Sequence, residues 1–190
     1  MDYRKYQNAR DASWQILIDQ NIKELPVPIV SICRSLGITV KYNNDLVNSE
    51  NSGNSTMIDG KAYIMLDPKC EQHRKRFTIA HELGHLLLGH VGKYELINRE
   101  PSPNDNPIEQ EANVFASRLL APACVLWGCK VKSAAEISEL CNISLVSAEY
   151  RFERYRVLLM RNRFLTSPLE RKVYKQFEEF ILNHQHQASD

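Results

Sequence analysis

The feature that most constrains this sequence is the stretch of residues 77–89, which reads F-T-I-A-H-E-L-G-H-L-L-L-G. Its residues are mostly apolar, so we expect a buried helix that ends at the final glycine. In such a helix His81 and His85 lie four residues apart, and both imidazoles project from one face. Buried polar side chains are costly without partners. A metal ion bound by both histidines supplies that partner, and the stretch therefore predicts a metal site.

Glu82 directly follows the first histidine and lies beside the same helix face. Zinc lowers the pKa of a water molecule towards ~7, and a carboxylate at this position can take its proton while the water attacks a peptide carbonyl. The same carboxylate can pass the proton to the departing amine. The motif predicts Zn²⁺ as the cofactor, although Mn²⁺ and iron also accept histidine and carboxylate ligands.

A catalytic zinc site needs a third protein ligand and one open position. The downstream candidates are His90, Asp105, Glu109 and Glu111. One choice for the buried face of the next helix consists of Ile108, Ala112, Phe115 and Leu119. That face favours Glu111 as the third ligand. Adding Ala116 and Leu120 to the face favours Glu109 instead. Periodicity therefore leaves both glutamates open, and the position of His90 just beyond the helix is not fixed by spacing.

Two motifs extend this pattern: R-F-T-I-A-H-E-L-G-H at residues 76–85 and E-Q-E-A-N-V-F-A-S-R-L-L-A-P at residues 109–122. Together they resemble the ImmA/IrrE family of metallopeptidases, which pairs an R-F-T-x-A-H-E-x-G-H helix with an E-A-N-x-F-A helix ending in L-L-x-P. The resemblance covers roughly residues 20–160. In the family the glutamate immediately before Ala-Asn is the third metal ligand, so the resemblance implies Glu111 here. It also makes Asn113 a candidate partner of the metal ligands.

The remaining sequence predicts an α+β fold, because its strand-like segments are clustered rather than alternating with helices. The strand-like segments predict a small three-stranded, meander-like sheet, and the resemblance implies a mostly helical, zincin-like metallopeptidase. The predicted elements are helices at 3–20 and 29–36, strands at 38–42, 55–58 and 61–66, and helices at 69–88, 108–120, 133–140, 144–160 and from 167 onward. Asp59-Gly60 is typical of a hairpin turn, and residues 91–106 are expected to form a loop.

We expect a metallopeptidase domain at residues 1–130 and a helical segment at residues 131–190. The segment begins with a pair of helices that resembles a helix-turn-helix, separated by Asn142. Five arginines follow between residues 151 and 163 and could bind phosphates. Apolar residues nevertheless suggest that much of the second helix is packed, and no clearly exposed Asn or Gln stands at its start to contact bases. We therefore do not expect direct binding to nucleic acid. We expect this pair of helices to pack within the protein or to dock a repressor.

The composition is that of an ordinary globular chain, with 43% hydrophobic residues and a net charge of +1. This charge favours neither nucleic acid nor membrane. No apolar run approaches the roughly 20 residues that span a bilayer, and the first 20 residues lack a secretory signal. The five cysteines are odd in number and contain no C-x-x-C pair, which favours reduced thiols. We therefore expect a cytoplasmic protein.

For function, the resemblance implies a site-specific zinc endopeptidase that cleaves a helix-turn-helix transcriptional repressor and so relieves repression in a mobile element, phage or stress-response locus. The alternative is a zinc-containing antirepressor or DNA-binding regulator that acts by sequestration. A structural zinc would usually have four protein ligands, so three ligands and Glu82 favour the enzyme.

Two details of the expected enzyme are less constrained. The strand at residues 61–66 leads directly into the metal helix, so we expect an extended substrate to pair with an exposed sheet edge there. Tyr63, His90 and Tyr94 lie near that helix in sequence, but each has an ordinary structural role as its default. The sequence does not assign a residue that stabilises the oxyanion.

Overall fold

The computed structural model of the chain describes residues 7–47, 52–91 and 106–187. Its helices are α1 (Gln7–Asp19), α2 (Ile29–Ser35), α3 (Gln72–Leu87), α4 (Pro107–Leu120), α5 (Ala123–Gly128), α6 (Ala134–Cys141), α7 (Leu145–Met160), α8 (Pro168–Gln176) and α9 (Glu178–Gln187). Its strands are β1 (Thr39–Tyr42), β2 (Gly53–Ile58) and β3 (Lys61–Leu66), and a 3-10 helix spans Asn44–Leu46. This mostly helical α+β architecture confirms the predicted fold class.

The described residues pack into two compact units. One consists of those within residues 1–12 and 28–116, and the other of those within residues 13–27 and 117–190. The first unit contains the whole sheet, α3 and the first ten residues of α4. The sequence-based division into domains at residue 130 stays a prediction.

The sheet is mixed, with β3 between β1 and β2. β1 runs parallel to β3, and β2 runs antiparallel to it, so that Val40 and Ser55 both lie opposite Ile64. The predicted meander is wrong, because the chain crosses from β1 to the far side of the sheet before forming the hairpin. The hypothesis that a substrate pairs with residues 61–66 is also wrong, because β3 is the central strand and already pairs along both of its edges. Of the described strands, β1 and β2 are the outer ones.

The turn between β2 and β3 has the predicted hairpin form. Asp59 and Gly60 adopt φ values of 49° and 73°. A two-residue turn of this kind needs positive φ at both positions, which Asp tolerates and Gly adopts without steric cost. The turn fixes the register of β2 on β3 and therefore the position of Ser55.

Helix α3 packs on β2 and β3 and begins later than predicted. Before the helix, the Asp67 carboxylate accepts a hydrogen bond from the Lys69 backbone N–H at 2.8 Å and forms a separate turn. The end of the helix matches the prediction, because Gly89 takes a left-handed φ of 70° just beyond Leu87. The next residue, His90, donates its backbone N–H to the His85 carbonyl at 2.9 Å, which closes the last turn.

Helix α4 follows the predicted pattern. Its buried residues are Ala112, Phe115, Ala116, Leu119 and Leu120, so the wider of the two apolar faces is the buried one. The helix stops before Ala121-Pro122, as expected. The predicted loop at residues 91–106 lies outside the described residues except at its two ends.

The second unit contains the predicted pair of helices, α6 and α7. Ser133 and Ser144 cap them through side-chain oxygens, and Asn142 takes a left-handed φ of 51° between them. Helix α5 was not predicted, because six residues are too few to show a helical period. The single helix expected after Ser167 is divided at Phe177 into α8 and α9.

A membrane-spanning helix would have to be both long and apolar. No helix in residues 7–47, 52–91 or 106–187 meets both conditions.

Candidate metal centre

The two motif histidines lie together on one face of α3, as the sequence predicts. Their Nε2 atoms are 2.9 Å apart. The His85 side chain is almost completely buried, whereas 15% of the His81 side chain is exposed. The pair is therefore directed into a site that is open on the His81 side.

Glu109 of α4 completes the cluster. Its Oε2 atom lies 3.1 Å from His81 Nε2, and its Oε1 atom lies 3.4 Å from His85 Nε2. Within the described residues these three side chains form the one group of three or more His, Cys, Asp or Glu that could hold an ion, with ligand atoms within 4.8 Å of each other. Tetrahedral zinc with ligands at about 2.0–2.1 Å places ligand atoms about 3.3 Å apart. The donor types and their spacing therefore fit one divalent ion.

Glu111 lies elsewhere, which departs from the expectation that it is the third ligand. Its Oε2 atom is 3.2 Å from His90 Nε2. Residues two apart on a helix point about 200° away from each other, whereas residues four apart share a face. The histidine pair therefore contacts Glu109 and Asn113, which are four residues apart on one face of α4. Glu111 lies off that face.

Asn113 is the partner of His81 on the side away from the cluster. Its Oδ1 atom lies 2.9 Å from His81 Nδ1, so a proton on that nitrogen would be donated to the amide oxygen. This tautomer leaves Nε2 free to bind a metal. The expectation that Asn113 contacts a ligand side chain matches this geometry.

The electrostatics of the site favour a cation. Burial raises the pKa of Glu109, but hydrogen bonds and charges from His81 and His85 outweigh it and lower that pKa to about 2. Burial lowers the pKa of His81, but the hydrogen bond to Glu109 and the charge of Glu82 raise it above its ordinary value. Glu109 is therefore ionised at neutral pH, and protons compete with a metal for His81.

Glu82 is buried beside the first histidine, where its carboxylate has a specific partner. Ser55 on β2 donates its hydroxyl to Glu82 Oε2 at 2.7 Å. Sequence reasoning missed Ser55, because no spacing rule links two residues that are 27 positions apart and on different element types. The available signal was indirect: Ser55 opens a predicted strand of the hairpin that leads to the metal helix.

Helices α3 and α4 approach each other closely at Gly84. A Cβ atom at this position would lie 3.0 Å from Phe115 Cδ1, tighter than an ordinary contact. Glycine at the fourth position of H-E-L-G-H therefore lets α4 come near enough for Glu109 to reach both histidines.

Comparison with known proteins identifies the family. The family model Peptidase_M78, described as the IrrE N-terminal-like domain, matches residues 33–153, which is well over half of the chain. The chain belongs to the ImmA/IrrE family. The resemblance read from the two sequence motifs is thereby confirmed, and a place among the metallopeptidases agrees with a metal-binding site of two histidines and a glutamate.

A solved structure titled "Mycobacterium tuberculosis transcriptional regulator" is similar with a TM-score of 0.55 at 16% sequence identity. The match covers 88% of this chain and 50% of that one, so this chain spans about half the length of the regulator. At this identity the likeness concerns the fold alone. The search of curated proteins gave no match.

The remaining residues that the sequence singled out lie as follows. Tyr63 is on β3, where the Lys41 Nζ atom lies 5.4 Å from its ring centre. His90 is buried, with 4% of the residue exposed, and contacts His85. Tyr94 and Asp105 lie outside the described residues.

Proposed function

We propose that this ImmA/IrrE family member is a zinc-dependent endopeptidase. The observation that carries the proposal is the convergence of His81, His85 and Glu109, with Glu82 buried next to the first histidine. Three protein ligands leave one position of a tetrahedral ion open, whereas a structural zinc site usually has four. When bound, zinc acts as a Lewis acid that polarises a peptide carbonyl and makes water more acidic.

Glu82 is the proposed general base. Its carboxylate would take the proton of the attacking water and release it to the departing amine nitrogen. The hydroxyl of Ser55 donates to Oε2, and we assign proton transfer to the other oxygen, Oε1. A carboxylate held at one oxygen keeps a fixed direction, and proton transfer depends on that direction.

The proposed substrate contact is the outer strand β2. Ser55 belongs to this strand and reaches Glu82, so a peptide that paired with β2 would run beside the base. Backbone pairing supplies affinity for any extended sequence, while alternate side chains of the peptide supply selectivity. Hydrogen–deuterium exchange tests this step: a bound, uncleaved substrate should slow exchange at outward-facing amides of residues 53–58. Unchanged exchange there in a verified complex would sink this step.

The proposed substrate class is a helix-turn-helix transcriptional repressor, cleaved to relieve repression in the cytoplasm. Membership of a family of peptidases and regulators supports this choice. Direct binding to nucleic acid is not part of the proposal. The exposed face of α7 carries Glu149 and Glu153 beside Arg156, so it is of mixed charge and not the basic surface that phosphates would need.

A second candidate is an antirepressor that sequesters its partner without cutting it. The exposed apolar residues of α7 favour this alternative, because Val146 is 61% exposed and Tyr150 is 71% exposed. Neighbouring apolar side chains in solvent are typical of a protein-binding surface. The two candidates differ in whether Glu82 is needed.

The test mixes purified, zinc-loaded protein with the repressor encoded nearest its gene and follows the repressor by intact mass. Glu82→Gln removes the base, and Glu71→Gln makes the same change at an exposed position before α3. We expect two discrete fragments from the wild type and from Glu71→Gln, and none from Glu82→Gln or after chelation. An intact repressor that co-purifies with both wild type and Glu82→Gln would overturn the peptidase in favour of sequestration.

A further inference from the structure

A continuous chain of contacts runs from the candidate metal ligand His85 through His90 to Glu111. His85 Nδ1 lies 3.2 Å from His90 Nδ1, and His90 Nε2 lies 3.2 Å from Glu111 Oε2. His85 and His90 are both buried. We infer that His90 and Glu111 are positioning residues that fix the tautomer of His85 for metal binding. This inference rests on the proposed zinc site and deepens it.

The distances permit one consistent assignment of protons when His90 is neutral. His85 Nε2 faces His81 and Glu109, so it must carry the lone pair that binds an ion, and the His85 proton must be on Nδ1. That proton points at His90 Nδ1, which must then be the acceptor. The His90 proton is left on Nε2, where the Glu111 carboxylate accepts it.

The opposite assignment disables the site. If the His90 proton moved to Nδ1, it would point at His85 Nδ1 and force the His85 proton onto Nε2. A protonated Nε2 cannot bind a metal. A carboxylate accepts hydrogen bonds and does not donate them when ionised, so Glu111 holds the His90 proton on the useful nitrogen.

The backbone puts His90 in place for this role. Gly89 has a φ of 70°, and the His90 backbone N–H donates to the His85 carbonyl at 2.9 Å. This reversal at the end of α3 folds the imidazole of His90 back over His85. The two zinc-binding histidines are therefore oriented differently: His81 by the amide of Asn113, and His85 by a second histidine that a carboxylate orients.

The experiment compares the zinc affinity of wild type with that of Glu111→Ala, Glu111→Gln and Glu109→Ala, each as the whole chain, by competition with a chromophoric chelator. Circular dichroism confirms folding, and Glu139→Ala is a matched control at an exposed position of α6. Glu111→Ala should lose about 10–100-fold in affinity, the usual effect of removing a group that orients a metal-binding histidine. Glu111→Gln should recover part of this loss because its carbonyl oxygen still accepts, and Glu109→Ala should lose more than either.

A second readout concerns the tautomer itself. Two-bond ¹H–¹⁵N correlation spectra of the metal-free protein, at a pH above the titration of its histidines, distinguish Nδ1–H from Nε2–H. Wild type should show His85 protonated at Nδ1, and Glu111→Ala should show a mixture.

Each remaining result overturns the inference for a stated reason. Equal zinc affinity and an unchanged His85 tautomer in Glu111→Ala would mean that the chain of contacts has no positioning role. A loss in Glu111→Ala as large as that in Glu109→Ala would make Glu111 a ligand. A wild type that binds no zinc would remove the proposed zinc site itself, which the variants of Glu111 do not test.

Discussion

Asn113 Oδ1 lies 2.9 Å from His81 Nδ1, and Asn113 stands one helical turn after Glu109, which contacts the same imidazole at Nε2. One face of α4 therefore meets both nitrogens of His81. The amide on one side selects the tautomer, and the carboxylate on the other completes the ligand set. This relationship makes the pairing of α3 with α4 the structural basis of the candidate site.

Replacing Asn113 by alanine should weaken zinc binding without unfolding the protein. Removing such a partner typically costs 10–100-fold in affinity, and we expect about tenfold because Asn113 is exposed. Asn113→Asp keeps an acceptor and should bind zinc at least as tightly as wild type. Competition with a chelator measures the zinc affinity of both variants. Equal zinc affinity in Asn113→Ala and wild type would contradict the assigned role.

Removing the Ser55 hydroxyl should slow peptide cleavage but spare zinc binding. A hydrogen bond to a charged group contributes about 1.5–3 kcal/mol, so Ser55→Ala should lower kcat by roughly tenfold or more if the bond is needed mainly in the transition state. Ser55→Thr retains the hydroxyl and is the matched control. Steady-state kinetics on the cleaved repressor give the answer. A loss of zinc from Ser55→Ala would instead make the effect structural.

Much of the fold follows from local sequence signals. The turn at Asp59-Gly60, the glycine after α3 and the serine caps of α6 and α7 each impose a backbone conformation within a few residues. The order of the strands could not be predicted. β2 lies between β1 and β3 in sequence, yet β1 pairs directly with β3, and no local signal indicates that pairing. Helix α5 was missed because six residues show no clear period, and the division between α8 and α9 was missed because the apolar spacing of Val173, Phe177 and Ile181 continues across it.

The candidate site divides in the same way. His81, Glu82 and His85 are fixed relative to each other by one helical turn, so their sequence spacing predicts their geometry. The choice between Glu109 and Glu111 depends on the rotation of α4 against α3. That rotation depends on packing between the helices, which is close at Gly84 and Phe115, and neither the spacing nor the family pattern indicated it.

Enlarging Gly84 should separate the two helices and impair the site. Alanine is more favourable than glycine within a helix by about 1 kcal/mol, but forcing its methyl group into a tight contact costs about 1–3 kcal/mol. Gly84→Ala should therefore lower stability slightly and zinc affinity clearly, because Phe115 must move and Glu109 moves with it. Gly128→Ala is the control: its Cβ would lie 2.7 Å from Ile181 Cδ1, so it should destabilise its own unit and leave zinc affinity unchanged.

The cysteines should differ sharply in reactivity. Cys33, Cys124, Cys129 and Cys141 are buried, whereas Cys70 is half-buried in the turn before α3. Burial raises the pKa of the Cys33 and Cys129 thiols to about 12 and also raises that of Cys124. Thiol reagents attack the thiolate, so one thiol should react quickly in the native protein and five in urea. Cys70→Ser should abolish the fast reaction; a fast phase that persists would contradict the burial of the other four.

Alkaline pH should destabilise the protein through two of these buried cysteines and a buried tyrosine. Burial raises the pKa of Cys33 and Cys129 from 9.0 to about 12, and burial with nearby negative charges raises that of Tyr155 from 10.0 to about 12. The folded state thus holds protons that the unfolded chain releases near pH 9–10. Their stabilisation is complete below pH 9 and is lost as pH rises towards 12, with a slope of about 1.4 kcal/mol per pH unit for each group. Urea unfolding at pH 8, 9 and 10 measures this slope. Above pH 9, Cys33→Ala should reduce this slope by about 1.4 kcal/mol per pH unit, which corresponds to one proton. An unchanged slope would show that the Cys33 thiol ionises as easily in the folded protein as in the unfolded one.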